Sequence, residues 1–412
     1  MTPLPLALYG AATGLLEPFA PLALRARARH GKEDPSRLGE RLGRADRPRP
    51  AGPLVWLHGV SVGESVSLLP LVEALKARRP DVALLVTSGT VASSEVLAKR
   101  LPQGVLHQFA PVDAPGAVRR FLDHWRPDLA VLVESELWPN LITTARRRGV
   151  RLALLSARMT EASARGWTRA PASARTLLAA FDLVMAQDAA SADRLARLGA
   201  KLGAPLNLKR LGKPLETDHR DLRQLQGILQ GRRVVLAAST HPGEERLIVD
   251  ALAGLDALLI LAPRHPQRGP GLAGEFGAPR RSVEALPTPE TRIYLADTLG
   301  ELGLFFRLAD VTVMGGSFVD GIGGHNPLEP ARSGAAILTG PHVFNAADLY
   351  AEMTAEGAAI QVGDATELRP AVERLLADSA SRQRLAGAAL AYAERQGEQL
   401  DRALAALEPL LP

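Results

Sequence analysis

Carboxylates, a lysine, histidines and arginines recur in this chain at the places where short apolar runs end. His58-Gly59-Val60-Ser61-Val62-Gly63-Glu64 follows one such run and opens a segment whose Val66, Leu69, Val72 and Leu75 keep helical spacing. Two chemistries are open to Glu64. As a first-turn carboxylate it complements the helix dipole, worth about 0.3–1 kcal/mol; as a general base it stays ionised within reach of an attacking hydroxyl. Glu134-Ser135-Glu136-Leu137-Trp138-Pro139-Asn140 follows the run Leu129 to Val133. Two carboxylates there are costly to bury without partners, so one is expected to face a cleft and the other a cationic neighbour. The structural alternative is that they cap a helix starting at Pro139. Ser156-Ala157-Arg158 adds a guanidinium able to grip phosphate with two bonds.

The second half carries a different set. Ala238-Ser239-Thr240-His241-Pro242-Gly243-Glu244-Glu245 and Ala262-Pro263-Arg264-His265-Pro266 end two further runs, bringing hydroxyls, imidazoles and an arginine to positions where a nucleotide would lie. Met314 to Tyr350 contains a glycine-rich turn and then Asn326-Pro327-Leu328-Glu329, a helix start whose amides suit an anion. Such turns also occur without a ligand in many α/β folds. The histidines show no HExxH spacing and no DxD-like acidic pair accompanies them, so no metal site is expected.

The elements that must position these residues read as repeated strand–turn–helix units. Leu54 to His58, Val82 to Thr87, Leu129 to Glu134, Arg151 to Leu155 and Leu183 to Ala186 are the strands expected first. Val234 to Ala238, Ala257 to Ala262, Arg292 to Leu295, Val311 to Met314 and Ala335 to Thr339 follow. This predicts an α/β protein of two doubly wound, mostly parallel halves, whose ligands sit beyond the carboxyl ends of the strands. A length of 412 residues suits two domains. The expected organisation is an apolar and basic segment over 1–35, a first domain over 36–210, a linker over 211–231 and a second domain over 232–412. The helical tail is expected to finish the second half and to pack back on the first.

Composition narrows the function classes. Apolar residues make up 46% and charged residues 23%, as in a globular protein. The absence of cysteine removes disulfides, thiolate chemistry and Cys-based zinc sites. A net charge of +5 favours acidic partners, whereas aromatics at 4% leave few stacking platforms for nucleic acid. Pro3 to Leu24 is apolar but broken by Glu17, Pro18 and Pro21, and Arg25, Arg27, Arg29, His30 and Lys32 follow it. It reads as a marginal anchor or interfacial segment, or else as an apolar hairpin packed on the protein itself.

Taken in order, HGVSVGE, ESELWPN, SARMTEASARG, ASTHPGEE, APRHPQR, DTLGELG and GGHNPLEPA resemble the 3-deoxy-D-manno-octulosonic acid (Kdo) transferases of lipopolysaccharide assembly. The resemblance runs from Arg37 to about Tyr350. It implies a GT-B glycosyltransferase, two Rossmann-like doubly wound domains facing a cleft, inverting and independent of metal or cofactor. The implied donor is CMP-Kdo and the implied acceptor a tetra-acylated, bis-phosphorylated lipid A precursor at the cytoplasmic face of the inner membrane. By matching motifs, the resemblance makes Glu64 the proton acceptor and gives Glu134 and Lys209 supporting roles in the transition state. CMP contacts map to Pro263, Arg264, Leu299, Gly300, Glu301, Asn326, Pro327, Leu328 and Glu329. Two departures stand out: Leu206 replaces a glycine ahead of Asn207-Leu208-Lys209, with Lys213 close by, and Phe318 to Gly324 is one residue longer than expected. The readings from other classes are a transferase or epimerase that uses UDP-sugars, and a non-catalytic lipid-binding scaffold.

Overall fold

The computed structural model describes residues 2–412, which divide into two compact units. The first comprises residues 1–212 and 397–412, the second residues 213–396. In the first, β1 (Leu54–His58), β2 (Ala83–Ser88), β3 (Leu106–Phe109), β4 (Leu129–Val133), β5 (Arg151–Ala157) and β6 (Leu183–Ala186) form one parallel sheet ordered β3-β2-β1-β4-β5-β6. In the second, β7 (Val234–Thr240), β8 (Leu258–Pro263), β9 (Ile293–Leu295), β10 (Val311–Met314), β11 (Ile337–Thr339) and β12 (Ile360–Gln361) form another parallel sheet, ordered β12-β11-β10-β7-β8-β9. Every residue of β1, β4 and β10 is buried, as strands covered by helices on both faces require.

In each sheet the order in which strands are added reverses once. The reversal lies between β1 and β4 in the first and between β7 and β10 in the second. At such a point the connecting helices leave on opposite faces, and the crevice between the diverging loops is where a doubly wound fold takes its ligand.

Some sequence expectations shift. The edge strands β3 and β12 were not foreseen, because Leu106–Phe109 carries His107 and Gln108, and β12 has only two residues. The pair finds partners inside the unit: His107 meets Ser88 and Arg37, and the Gln108 side-chain oxygen accepts from Trp125. Within the stretch 211–231 lies a helix, His219–Leu229, whose Leu225 and Leu229 are buried in the core of the second unit. The terminal helix Ser379–Leu407 carries the chain from the second unit into the first, where Ala403, Leu404 and Leu407 join the core.

Before β1, helices Leu4–Leu16 and Ala20–Arg29 dock on the first unit. Leu6 is buried, Asn140 donates to Thr13, and Glu17 accepts from the Gly116 amide at 2.7 Å and pairs with Arg120 at 2.9 Å. Leu4, Leu8, Leu15, Leu16, Phe19 and Leu22 stay exposed, as do Arg25, Arg27, Arg29, His30 and Lys32. Among the described residues, no helix is long and apolar enough to cross a membrane.

Candidate functional site

At the first reversal, the loop after β1 is set by a chain of polar contacts within the sheet. Trp56 Nε1, which can only donate, reaches Thr87 Oγ1 at 2.8 Å, and the same hydroxyl lies 2.8 Å from His58 Nδ1. If the hydroxyl proton goes to Nδ1, the ring carries its hydrogen on Nε2, which stands 3.6 Å from Glu136. Trp138 Nε1 donates to the same Glu136 carboxylate.

Glu64 sits at the third position of the helix Val62–Arg78, in a reciprocal capping box with Ser61. Its Oε2 accepts from the Val60 amide at 2.6 Å, its Oε1 from the Ser61 hydroxyl at 3.0 Å, and its own amide donates back to Ser61 Oγ at 3.3 Å. These donors fix the carboxylate's direction, yet the side chain stays only half-buried. Glu64 is therefore the first-turn carboxylate of its helix, and the capping box leaves that carboxylate accessible.

Glu134 follows β4 with φ of 58°, a left-handed backbone that costs a residue with a side chain about 1–3 kcal/mol. Its amide donates to Leu155 O and its carbonyl accepts from the Arg158 amide, which hold the turn in that shape. The carboxylate is 7% exposed and its Oε1 lies 2.6 Å from Lys209 Nζ. Lys209 is positioned by a short turn, Leu208–Arg210, in which the Asn207 side chain accepts the Lys209 amide and the Leu208 amide donates to Ser156 Oγ. Ser156 itself has φ of 52°, so strain gathers at the ends of β4 and β5. A Cβ placed on Gly63 would lie 4.0 Å from Lys209 Cε. The lysine stem thus passes beside the Glu64 turn, and the structure gathers Glu64, Glu134 and Lys209 at one reversal. Neither Glu134 nor Glu136 caps the helix Pro139–Arg147. Asp113 does, accepting the amides of Asn140 at 3.1 Å and Leu141 at 2.8 Å. Arg158 is exposed.

At the second reversal the glycine-rich loop after β10 holds an anion, and that anion is the protein's own. Glu244, fully buried at the start of the helix Glu244–Ala251, accepts the amides of Gly316 at 2.7 Å, Ser317 at 3.0 Å, Phe318 at 2.9 Å and His241 at 3.1 Å. Burial pushes its carboxyl above the usual range while the four N–H bonds pull the other way. Sequence reasoning missed this role; a Glu four residues past a strand, facing a Gly-Gly pair, was the available signal. Gly323 serves the loop's close packing: with φ of 90°, a Cβ there would come within 2.5 Å of the Phe344 ring. Tyr350 donates to the His325 carbonyl at 2.8 Å.

The residues mapped to CMP fall on three loops of this unit. Pro263 ends β8 and Arg264 follows it, exposed. Asn326 Oδ1 accepts the Leu328 amide at 3.0 Å, so that amide is already taken. The helix beyond Pro327 is a single turn, Leu328–Ala331. Glu329 is half-buried; burial raises its carboxyl, and the charges of Arg332 and Arg264 oppose the rise. Leu299 is 80% exposed, Gly300 has φ of 86°, and Glu301 pairs with Arg281 at 2.6 Å. The helix Leu302–Leu308 after Glu301 packs against Leu328–Ala331, which brings the last two loops together. Among the described residues, no group of three or more histidines or carboxylates is arranged to hold a metal ion.

A family model described as 3-deoxy-D-manno-octulosonic-acid transferase (kdotransferase) matches residues 36–210. The 3-deoxy-D-manno-octulosonic acid transferase of Rickettsia bellii (strain RML369-C) is 33% identical, over 98% of this chain and 99% of its own length. That of Bordetella pertussis is 35% identical, over 92% and 91%. Among solved structures, a glycosyltransferase from Rickettsia africae ESF-5 is similar with a TM-score of 0.57 at 10% identity, covering 88% of this chain and 99% of that one. The UDP-GlcNAc 2-epimerase of Neisseria meningitidis bound to UDP-GlcNAc gives 0.56 at 11%, covering 87% and 100%. At these identities the two structures speak for the fold alone.

Proposed function

Because this chain belongs to the 3-deoxy-D-manno-octulosonic acid (Kdo) transferase family, we propose that it moves Kdo from CMP-Kdo to a hydroxyl of a tetra-acylated, bis-phosphorylated lipid A precursor, with Glu64 as general base. The chain is a glycosyltransferase of the GT-B fold; donor, acceptor and residue roles are what the proposal adds. The observation that carries it is the meeting of Glu64, Glu134 and Lys209 at the first reversal.

In this reading the acceptor hydroxyl attacks the anomeric carbon of Kdo and gives its proton to Glu64. The bond to phosphate breaks on the opposite face, inverting the centre through an oxocarbenium-like transition state. Glu134 holds the ammonium of Lys209, whose side chain is half-exposed, where it can meet developing negative charge. Pro263 and Arg264, Leu299 to Glu301 and Asn326 to Glu329 hold the CMP part, Arg264 by charge and Glu329 by accepting from ribose hydroxyls. The apolar residues exposed on the first two helices, followed by Arg25, Arg27, Arg29 and Lys32, support a peripheral seat on an anionic membrane surface, here the cytoplasmic face of the inner membrane.

Purified protein incubated with CMP-Kdo and the lipid A precursor should yield products heavier by whole Kdo units in mass spectrometry. No product with CMP-Kdo, together with turnover of a UDP-sugar, would overturn the donor assignment.

A further inference from the structure

Two imidazoles bridge the second reversal. His241 lies on the loop after β7 and His325 on the loop after β10, and their Nε2 atoms are 2.9 Å apart with the rings stacked at an interplanar angle of 11°. A contact between two ring nitrogens at this distance needs one hydrogen between them, so one ring donates and the other accepts. The pair can take one extra proton on its outer nitrogens and keep this bond. A second would set two cations against each other, so the rings titrate as a unit.

The surroundings are rich in cations. Arg264 and His265 follow β8, with the His265 ring centroid 6.1 Å from that of His241. Arg264 forms no ion pair among the described residues, and its charge acts on Glu329 and on both paired rings. Arg268 is held by Glu245 at 2.6 Å, and Glu244 is occupied by backbone amides. Tyr350 faces the His325 carbonyl, not its ring. Glu244 and Glu245 are thus bonded to other groups. Although the charge of Glu245 still opposes the drop at His241, both rings are held below the ordinary imidazole range, His241 by burial and then His265 and Arg264, His325 by burial and then His241, Arg264 and His265.

We propose that the His241–His325 pair is the proton-carrying contact for the phosphate of the nucleotide donor. This rests on the CMP-Kdo reading above and adds residues which that reading does not use. A bound phosphate supplies the negative charge the cluster lacks, and the pair takes up one proton as it binds. When the bond between the anomeric carbon and the phosphate oxygen breaks, its electron pair goes to that oxygen and the imidazole pair gives it the proton. The new bond forms to the acceptor oxygen, whose proton passes to Glu64.

The sign of proton exchange tests this. The last phosphate ionisation has a pKa of about 6, so a site that merely prefers the dianion releases protons on binding CMP. Calorimetry of CMP binding to the full chain near neutral pH, in buffers of different ionisation enthalpy, should show uptake approaching one proton, with affinity falling up to tenfold per pH unit as pH rises. His241→Gln and His325→Gln should each abolish the uptake, whereas His265→Gln should keep it. Histidine-selective NMR on the unsubstituted protein should show two ring resonances titrating together and moving upward in pH when CMP is added. Proton release, or uptake unchanged in both variants, would overturn the proposal while leaving the CMP reading intact. Failure of the wild-type protein to bind CMP would overturn both.

Discussion

Glu64 and Glu244 each stand at the start of the helix that follows the first strand of their sheet, and the two sheets share one strand order. Their fates differ. Glu244 is fully buried, with both oxygens bound by four amides of fixed backbone, three of them from the glycine-rich loop. Glu64 is half-buried and bonded only to its own turn, through Val60 and Ser61. The same residue type at the same topological place is a staple in one unit and an accessible carboxylate in the other, and what separates them is where the donors come from. The neighbouring side chains differ too: the first reversal also gathers Glu134, Glu136, His58 and Lys209, the second His241, His325, His265 and Arg264. One set suits taking a proton from a hydroxyl, the other suits receiving a phosphate.

The sharpest way to break the contrast is to remove the staple. Glu244→Ala would leave four buried N–H groups without acceptors, at a cost of at least about 3 kcal/mol. A thermal melt should drop by on the order of 10 °C in the transition of the second unit; a drop below a degree or two would mean the loop is not held this way. Next in size is Gly323→Ala, which forces a side chain into a left-handed backbone and against Phe344. It should cost about 1–3 kcal/mol in chemical denaturation and weaken CMP binding with it.

On the other side, Lys209→Met should reduce transfer about 10- to 100-fold and, because it leaves the buried Glu134 carboxylate unpaired, lower stability by about 1–3 kcal/mol, whereas Lys209→Met with Glu134→Gln should regain most of the stability and none of the transfer. Transfer restored along with stability in the double variant would make the lysine structural. The smallest effect is one of pH. His325 is held down to about 4 by burial first and by His241 second. A group depressed in the fold contributes stability that is present above the unfolded value of about 6.5 and lost as pH falls through the folded value. Unfolding should therefore become easier between pH ~6.5 and ~4, and less steeply so in His325→Gln.

Much of this was legible from residues alone. Continuous apolar runs such as Leu129 to Val133 and Val311 to Met314 marked the central strands because both faces are covered, whereas the edge strand Leu106–Phe109 was hidden by His107 and Gln108. The polar loops after β1, β4, β7 and β8 were visible as breaks in hydrophobicity. Three-dimensional pairing was not: nothing in the spacing tells that Asp113 rather than Glu134 or Glu136 caps the helix at Pro139. Nor does it tell that His241 and His325, 84 residues apart, share a hydrogen bond. The glycine-rich turn was read as open to an external anion, and its first amides prove to be occupied by Glu244.

The central claim is that Glu64 is the base and not only a cap, and Glu64→Gln separates the two, because glutamine still closes the capping box but cannot take a proton. With CMP-Kdo and the lipid A precursor, transfer by this variant should fall by about 10²- to 10⁴-fold, with melting temperature and CMP affinity unchanged. Transfer within a few-fold of the unsubstituted protein would contradict the account.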